Sequence, residues 1–275
     1  MREIAFATGR SSNMIKVAAF DLDGTLTKGE SIWTEASEKI GLENIHDELE
    51  ARFKEGKFKS HVEWSETLLE MWKGRLDKDT FMSIINSKKL KPRALETFMI
   101  LKEAGIRTAI ISGGFVELAD RVKQELGIDD RFAQVKLEFG EDNMLRSWKI
   151  FRTDFEEKLS VMKFIARFNG ADLSECAYVG DGKNDMSVFG RVGVSIAFNA
   201  RHRVVREAAD VSINVEDLSM ILPHIGLSGN EITTRKPRNG PTGNSMELMG
   251  LLASARRPNS SITQSEIQTR RRIIR

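Results

Sequence analysis

Four short apolar runs, each separated from the next by helix-like stretches, constrain this chain more than any other feature. They are Ile15–Phe20, Thr108–Ser112, Ala177–Gly180 and Gly193–Ala197. Nearly continuous apolar character over so few residues marks strands buried on both faces, as inside a parallel sheet. Between them, apolar periodicity predicts helices over Pro92–Ala104, Val116–Leu126, Glu156–Phe168 and Asn184–Phe189. Gly105, Gly127 and Gly170 fall where helices should stop. The alternation predicts an α/β fold, a mostly parallel sheet with helices on both faces. A weaker stretch, Phe132–Ile150, is broken by Gly140-Glu141-Asp142-Asn143 and reads as a hairpin or short strand pair.

One segment breaks the alternation. Residues 28–90 carry no strand signal, only charged amphipathic patterns sufficient for about four helices. This predicts a small helical domain inserted after the first strand, with a core formed by residues 14–27 and 91–226. The inserted aromatics Trp33, Phe53, Phe58, Trp64, Trp72 and Phe81 are expected to form its own core, with some of them free to line a pocket facing the sheet.

The ends differ from the body. Residues 227–275 are dominated by Ser, Thr, Asn, Arg, Gly and Pro, the composition of a disordered tail. They hold nine Lys and Arg against three acids, a balance of +6 in a chain of net +2, so the remainder stands at −4. A basic run such as Arg270-Arg271-Arg272 can touch nucleic acid or anionic lipid, although a solvated tail is the simpler reading. Met14 directly precedes the first strand, which raises the expectation that residues 1–13 reflect the choice of start site.

The composition limits the classes open to the chain. With 40% hydrophobic residues it can bury a real core. The single cysteine, Cys176, excludes an intrachain disulfide framework and fits a reducing compartment. No apolar stretch reaches the ~18 residues of a membrane span, and the N-terminus has no long apolar signal core. A cytoplasmic protein without a membrane partner is expected, and the oligomeric state is left open.

The chemistry-bearing residues sit where strands end. Asp21-Leu22-Asp23-Gly24-Thr25 follows the first run. Side chains two apart on an extended chain face the same way, so both carboxylates can look into the crevice where open α/β sheets bind ligands. Such a pair can hold Mg2+, and one acid can act as a nucleophile. An Asp-rich turn is the plain alternative. An EF-hand loop fits poorly, because Gly24 comes fourth and a strand, not a helix, precedes it.

Ser112-Gly113-Gly114 follows the second run and leads into a helix, which suits an anion but is also an ordinary strand-to-helix turn. Gly180-Asp181-Gly182-Lys183-Asn184-Asp185 looks like a dinucleotide fingerprint, except that its acids would repel a pyrophosphate and suit a metal ion better. Lys158, beside Glu156 and Glu157, reads in isolation as a solvated helix residue.

Taken together and in this order, these four motifs resemble those of the haloacid dehalogenase superfamily, and most closely its phosphoserine phosphatase branch. The likeness runs from Met14 to about Ile225 and includes Ile196-Ala197-Phe198-Asn199-Ala200. It implies a Rossmann-like core with a type 1 helical cap, which agrees with the insertion at 28–90. It also implies a Mg2+-dependent phosphatase acting on a small phosphomonoester through an aspartyl-phosphate.

In that scheme Asp21 is the nucleophile and Asp23 the general acid and base. Mg2+ is held by Asp21, the Asp23 backbone carbonyl and Asp181, with Asp185 supporting from behind. Ser112, Gly113 and Lys158 bind the phosphoryl oxygens. The charge balance supports a metal independently, because four acids and a phosphate dianion in one crevice would repel one another. Glu30 and Asn184 fall at substrate-contact positions. The family's cap arginine is absent. Thr67 stands in its place, which weakens the case for phosphoserine, and Arg52 and Arg75 are the candidate replacements. Two other readings remain open: a phosphotransferase or mutase of the same superfamily, and a non-catalytic module that binds polyanions through its tail.

Overall fold

The computed structural model describes residues 14–153 and 156–227. The expectations for residues 1–13 and 228–275 lie outside these. Leu227, assigned to the tail, is buried against the core.

Among the described residues, seven strands form one sheet: β1 (Val17–Phe20), β2 (Arg107–Phe115), β3 (Asp130–Phe139), β4 (Leu145–Ile150), β5 (Cys176–Gly180), β6 (Val194–Phe198) and β7 (Val211–Ile213). Eight α-helices accompany them among the same residues: α1 (Ile32–Lys39), α2 (Glu43–Lys54), α3 (His61–Trp72), α4 (Lys78–Ser87), α5 (Ala94–Glu103), α6 (Val116–Leu126), α7 (Glu156–Phe168) and α8 (Arg203–Ala208). The sheet order is β4-β3-β2-β1-β5-β6-β7, and every neighbouring pair is parallel except β3 and β4.

Side-chain alternation divides the core in two. Ala18, Phe20, Ile110, Val179 and Phe198 face α5 and α6. Val17, Ala19, Ile111, Tyr178 and Ala197 face α7 and α8. Connections run from β1 to β2 and β3 on one side and later to β5 and β6 on the other. The order therefore reverses at β1, and the crevice beyond its C-terminal end lies at the topological switch point. The registers bring three strand ends together: Phe20 lies opposite Ile110 in β2 and Val179 in β5.

The segment between β1 and α5 is all helix apart from its connections. Ser31, Ser60 and Asp77 cap α1, α3 and α4 by accepting the backbone N–H three residues on. Such caps are worth about 1 kcal/mol each. Trp33, Trp64, Trp72 and Phe81 are buried among these helices. The Trp33 ring lies 4.5 Å from that of Phe115 at the end of β2, so the helical layer and the sheet share one core. Phe53 and Phe58 are only partly buried. The two connections run side by side: Lys28 N–H donates to Lys89 C=O at 2.8 Å, and Lys91 N–H to Leu26 C=O at 2.9 Å.

Several elements depart from expectation. Ser112-Gly113-Gly114 is not a turn into a helix, because β2 continues through it with a register shift and α6 begins only at Val116. The helix expected over Asn184–Phe189 is a 3-10 helix, Lys183–Ser187, tightened by Gly182 N–H donating to Asp185 Oδ2 at 2.8 Å. The strand pair expected over Phe132–Ile150 is present, with β3 and β4 antiparallel across the turn at residues 140–144, and β3 also joins β2 in parallel. The short elements α8 and β7 were not anticipated. Among the described residues no helix is long and apolar enough to cross a membrane.

Candidate active site

Asp21 and Asp23 follow β1 directly, and Asp21 N–H donates to Val179 C=O at 2.9 Å. The chain then turns at Gly24, whose φ of +83° belongs to the left-handed region, and a Cβ there would run into the Asp181 carboxylate. Asp181 follows β5, and its Oδ1 accepts from the Thr25 hydroxyl at 2.7 Å. Gly180 is required in the same way, since a Cβ there would collide with the Asp185 side chain.

Lys158 is fully buried, contrary to its solvated reading. Its Nζ lies 2.7 Å from Asp21 Oδ1 and 2.7 Å from Asp185 Oδ1. Asp185 is also buried and accepts from the Tyr178 hydroxyl at 2.7 Å and from Gly182 N–H. Both of its oxygens are therefore engaged. Ser112 is buried, its Oγ accepts from Gly114 N–H at 2.9 Å, and its carbonyl accepts from the Thr153 hydroxyl at 2.7 Å.

These groups converge. Asp21, Asp23, Glu30, Ser112, Gly113, Asp181 and Asn184 line one crevice of about 390 Å³. Lys158 bridges Asp21 and Asp185 from within the core. The crevice is also lined by Trp33, Glu50, Phe53, His61 and Trp64 from the helical segment. An adjoining space of about 750 Å³ shares Asp23, Glu30, Glu50, Asp181 and Asn184 with it and is also lined by Lys28, Lys54, Lys91, Lys183 and Arg201. Thr67, Arg52 and Arg75 line neither space. The Thr67 hydroxyl donates to Glu63 C=O at 2.8 Å, and Arg52 lies over the Phe58 ring.

The two acids after β1 differ. Burial raises the Asp21 pKa strongly, and the Lys158 ammonium opposes this. Burial pushes Asp23 up to about 6, against the pull of Lys88, and its Oδ1 is buried with no hydrogen-bond partner. Burial and the nearby Asp185 push Asp181 up to about 7. Carboxylate oxygens of Asp21, Asp181 and Asp185 lie within 4.8 Å of one another. Two buried acids paired with one ammonium, with the half-buried Asp181 beside them, leave negative charge uncompensated. The donors are hard oxygens, so the cluster fits a small divalent cation such as Mg2+.

Tyr178 and Thr25 were missed from the sequence. Tyr178 lies in an apolar strand, where alternation gives no hint of a hydroxyl partner. Thr25 belongs to the first motif, but its partner is 156 residues away.

A family model described as haloacid dehalogenase-like hydrolase matches residues 15–193. The chain belongs to the haloacid dehalogenase-like hydrolases. Its relatives lie in the phosphoserine phosphatase branch. A phosphoserine phosphatase of Archaeoglobus fulgidus is 36% identical over 205 residues, covering 74% of this chain and 58% of that protein. This chain thus spans little more than half the length of that relative. A phosphoserine phosphatase of Methanocaldococcus jannaschii is 31% identical over 216 residues, covering 76% of this chain and 97% of that protein. A solved structure of a phospho-aspartyl intermediate analogue of phosphoserine phosphatase superposes with a TM-score of 0.67 at 28% identity, covering 77% of this chain and 99% of that one.

Proposed function

We propose that the chain is a Mg2+-dependent phosphatase that hydrolyses a small phosphomonoester through an aspartyl-phosphate on Asp21. The observation that carries this reading is the contrast between two carboxylates on one strand end. Asp21 is held by the buried Lys158, whereas Asp23 presents a buried oxygen with no partner. Two acids in environments this different suit two roles.

Asp21 Oδ attacks phosphorus, and the bond from phosphorus to the substrate oxygen breaks. Asp23 gives its proton to that leaving oxygen. Asp23 then takes a proton from the water that attacks the aspartyl-phosphate, and the P–O bond to Asp21 breaks to release phosphate and restore both acids. Lys158, Ser112 and the Gly113 N–H are assigned to the phosphoryl oxygens, where donors offset the charge that gathers in the transition state. Asp21, the Asp23 carbonyl and Asp181 would hold the cation. Asp185, with both oxygens occupied, would steady Lys158 and the loop behind it. When bound, the cation supplies charge neutralisation and orients the phosphoryl group.

Residues 28–90 act as a cap that closes over the crevice and excludes water, on the paired connections at Lys28–Lys89 and Leu26–Lys91. The core comprises 14–27 and 91–226. Glu30 and Asn184, both lining the crevice, are assigned to the leaving group.

The test is phosphate release from a panel of phosphomonoesters with and without Mg2+, with Asp21→Asn run beside wild type. Mg2+-dependent turnover lost in the variant supports the reading. Folded, Mg2+-bound protein that releases phosphate from none of them would overturn it in favour of transfer to another acceptor.

A further inference from the structure

Glu30 and Glu50 both line the crevice, as do the rings of Trp33, Phe53, His61 and Trp64. Among the described residues that line it there is no Lys and no Arg. A substrate carboxylate lying among these groups would face Glu30 and Glu50, whose cationic partners Arg201 and Lys54 line the adjoining space rather than this crevice. An ammonium there would meet two acids and a group of aromatic rings, the combination that binds organic cations.

We infer that the enzyme prefers the phosphate monoester of an amino alcohol, with a cationic leaving group that carries no carboxylate, over the phosphate ester of an amino acid. This rests on the phosphatase reading above and extends it to the leaving group.

Lys158 serves the phosphoryl end at Asp21, and Lys88 is held by the Glu30 carbonyl and the Glu35 carboxylate. Arg201 pairs with Glu30 at 3.1 Å and Lys54 with Glu50 at 2.7 Å, and the two cationic side chains are 74% and 64% exposed. Solvent-exposed pairs of this kind are worth about 0–1 kcal/mol. A substrate ammonium inside the crevice can replace either partner at small cost. His46 also borders the crevice beside Glu50, where burial holds its pKa below the ordinary histidine value.

The probes are O-phosphoethanolamine, phosphocholine, O-phosphoserine and glycerol phosphate, assayed with Mg2+-loaded full-length protein at pH 7.5. The kcat/KM for phosphoethanolamine should exceed that for phosphoserine by about tenfold or more, the worth of a charge partner that is partly desolvated. Glu50→Gln and Glu30→Gln should each narrow the ratio of phosphoethanolamine to glycerol phosphate by several-fold, mainly through KM. A preference for phosphoserine that disappears in Arg201→Ala would overturn the inference, because that arginine would then be a carboxylate clamp. So would equal rates on the cationic and neutral esters. Calorimetric binding of the same four compounds to Asp21→Asn with Mg2+ separates the two claims. Ammonium-selective binding without wild-type turnover would sink the phosphatase reading and leave the subsite standing. Turnover without ammonium selectivity would do the reverse.

Discussion

The Lys158 ammonium lies 2.7 Å from Asp21 Oδ1 with no part of its side chain exposed, and it joins a helix beneath the sheet to the end of the central strand. Removing it would strand Asp21 and Asp185 as buried acids. Loss of one partner of such a pair costs about 3–5 kcal/mol, and loss of one donor at a transition state costs about 10²–10³ in kcat. Lys158→Met should show both, in thermal melts and in phosphate release. Lys158→Arg should recover more of the stability than of the rate, because a guanidinium cannot place its charge at the same point. A Lys158→Met protein with wild-type kcat would remove Lys158 from the phosphoryl site.

The acid cluster predicts a stabilising cation. Mg2+ at a hundredfold excess over its dissociation constant should add about 2.7 kcal/mol to unfolding. Asp181→Asn should be as stable as wild type or more so in chelator, since it removes a half-buried acid whose pKa is pushed up to about 7, and it should lose most of the Mg2+ increment. Differential scanning calorimetry with and without chelator reads both.

Gly180 lies where a Cβ would collide with the Asp185 side chain. Gly180→Ala should displace Asp185 and loosen its contact with Lys158. The expected loss of stability is about 1–3 kcal/mol, as for an overpacked core position. Activity should fall with it. An unchanged melting temperature would mean that the loop moves freely, contrary to the packing seen here.

Glu117 gives a pH signature away from the site. Burial raises its pKa from the ordinary 4.5 to about 7, and its Oε2 has no partner. Below pH 4.5 it is protonated whether folded or unfolded and contributes no pH dependence. Between 4.5 and about 7 the unfolded chain ionises first, so stability falls as pH rises, and above about 7 the penalty is constant. Glu117→Gln should therefore gain on wild type through that window, by about 1–3 kcal/mol at its upper end. Parallel denaturation curves at pH 5 and pH 8 check it, and a gap that does not change between them would contradict it.

The parallel strands were legible because burial on both faces leaves little but apolar residues, as in Val17–Phe20 and Cys176–Gly180. Glycines marked helix ends for the same local reason, as at Gly127, which caps α6 at a φ of +65°. What was not legible depends on distant partners. Lys158 sits in a charged helical sequence, and only the fold shows that it points into the core. The extension of β2 through Ser112-Gly113-Gly114 depends on pairing with β3 rather than on its own residues. Trp33, Phe53 and Trp64 could not be placed at the crevice, because a helical pattern separates buried from exposed faces without saying what a buried face looks upon. The absence of an arginine from the crevice was visible at Thr67, but only the structure shows that Arg52 and Arg75 do not fill the gap.

The most direct test of the account is to trap the covalent intermediate. Mg2+-loaded enzyme turning over its best substrate should be quenched with acid and treated with borohydride, which reduces an aspartyl-phosphate to homoserine. Peptide mass spectrometry should then find homoserine at position 21 alone, dependent on substrate and Mg2+. Active enzyme that yields no modification at Asp21, or yields it at Asp23, Asp181 or Asp185 instead, would contradict the assignment of the nucleophile.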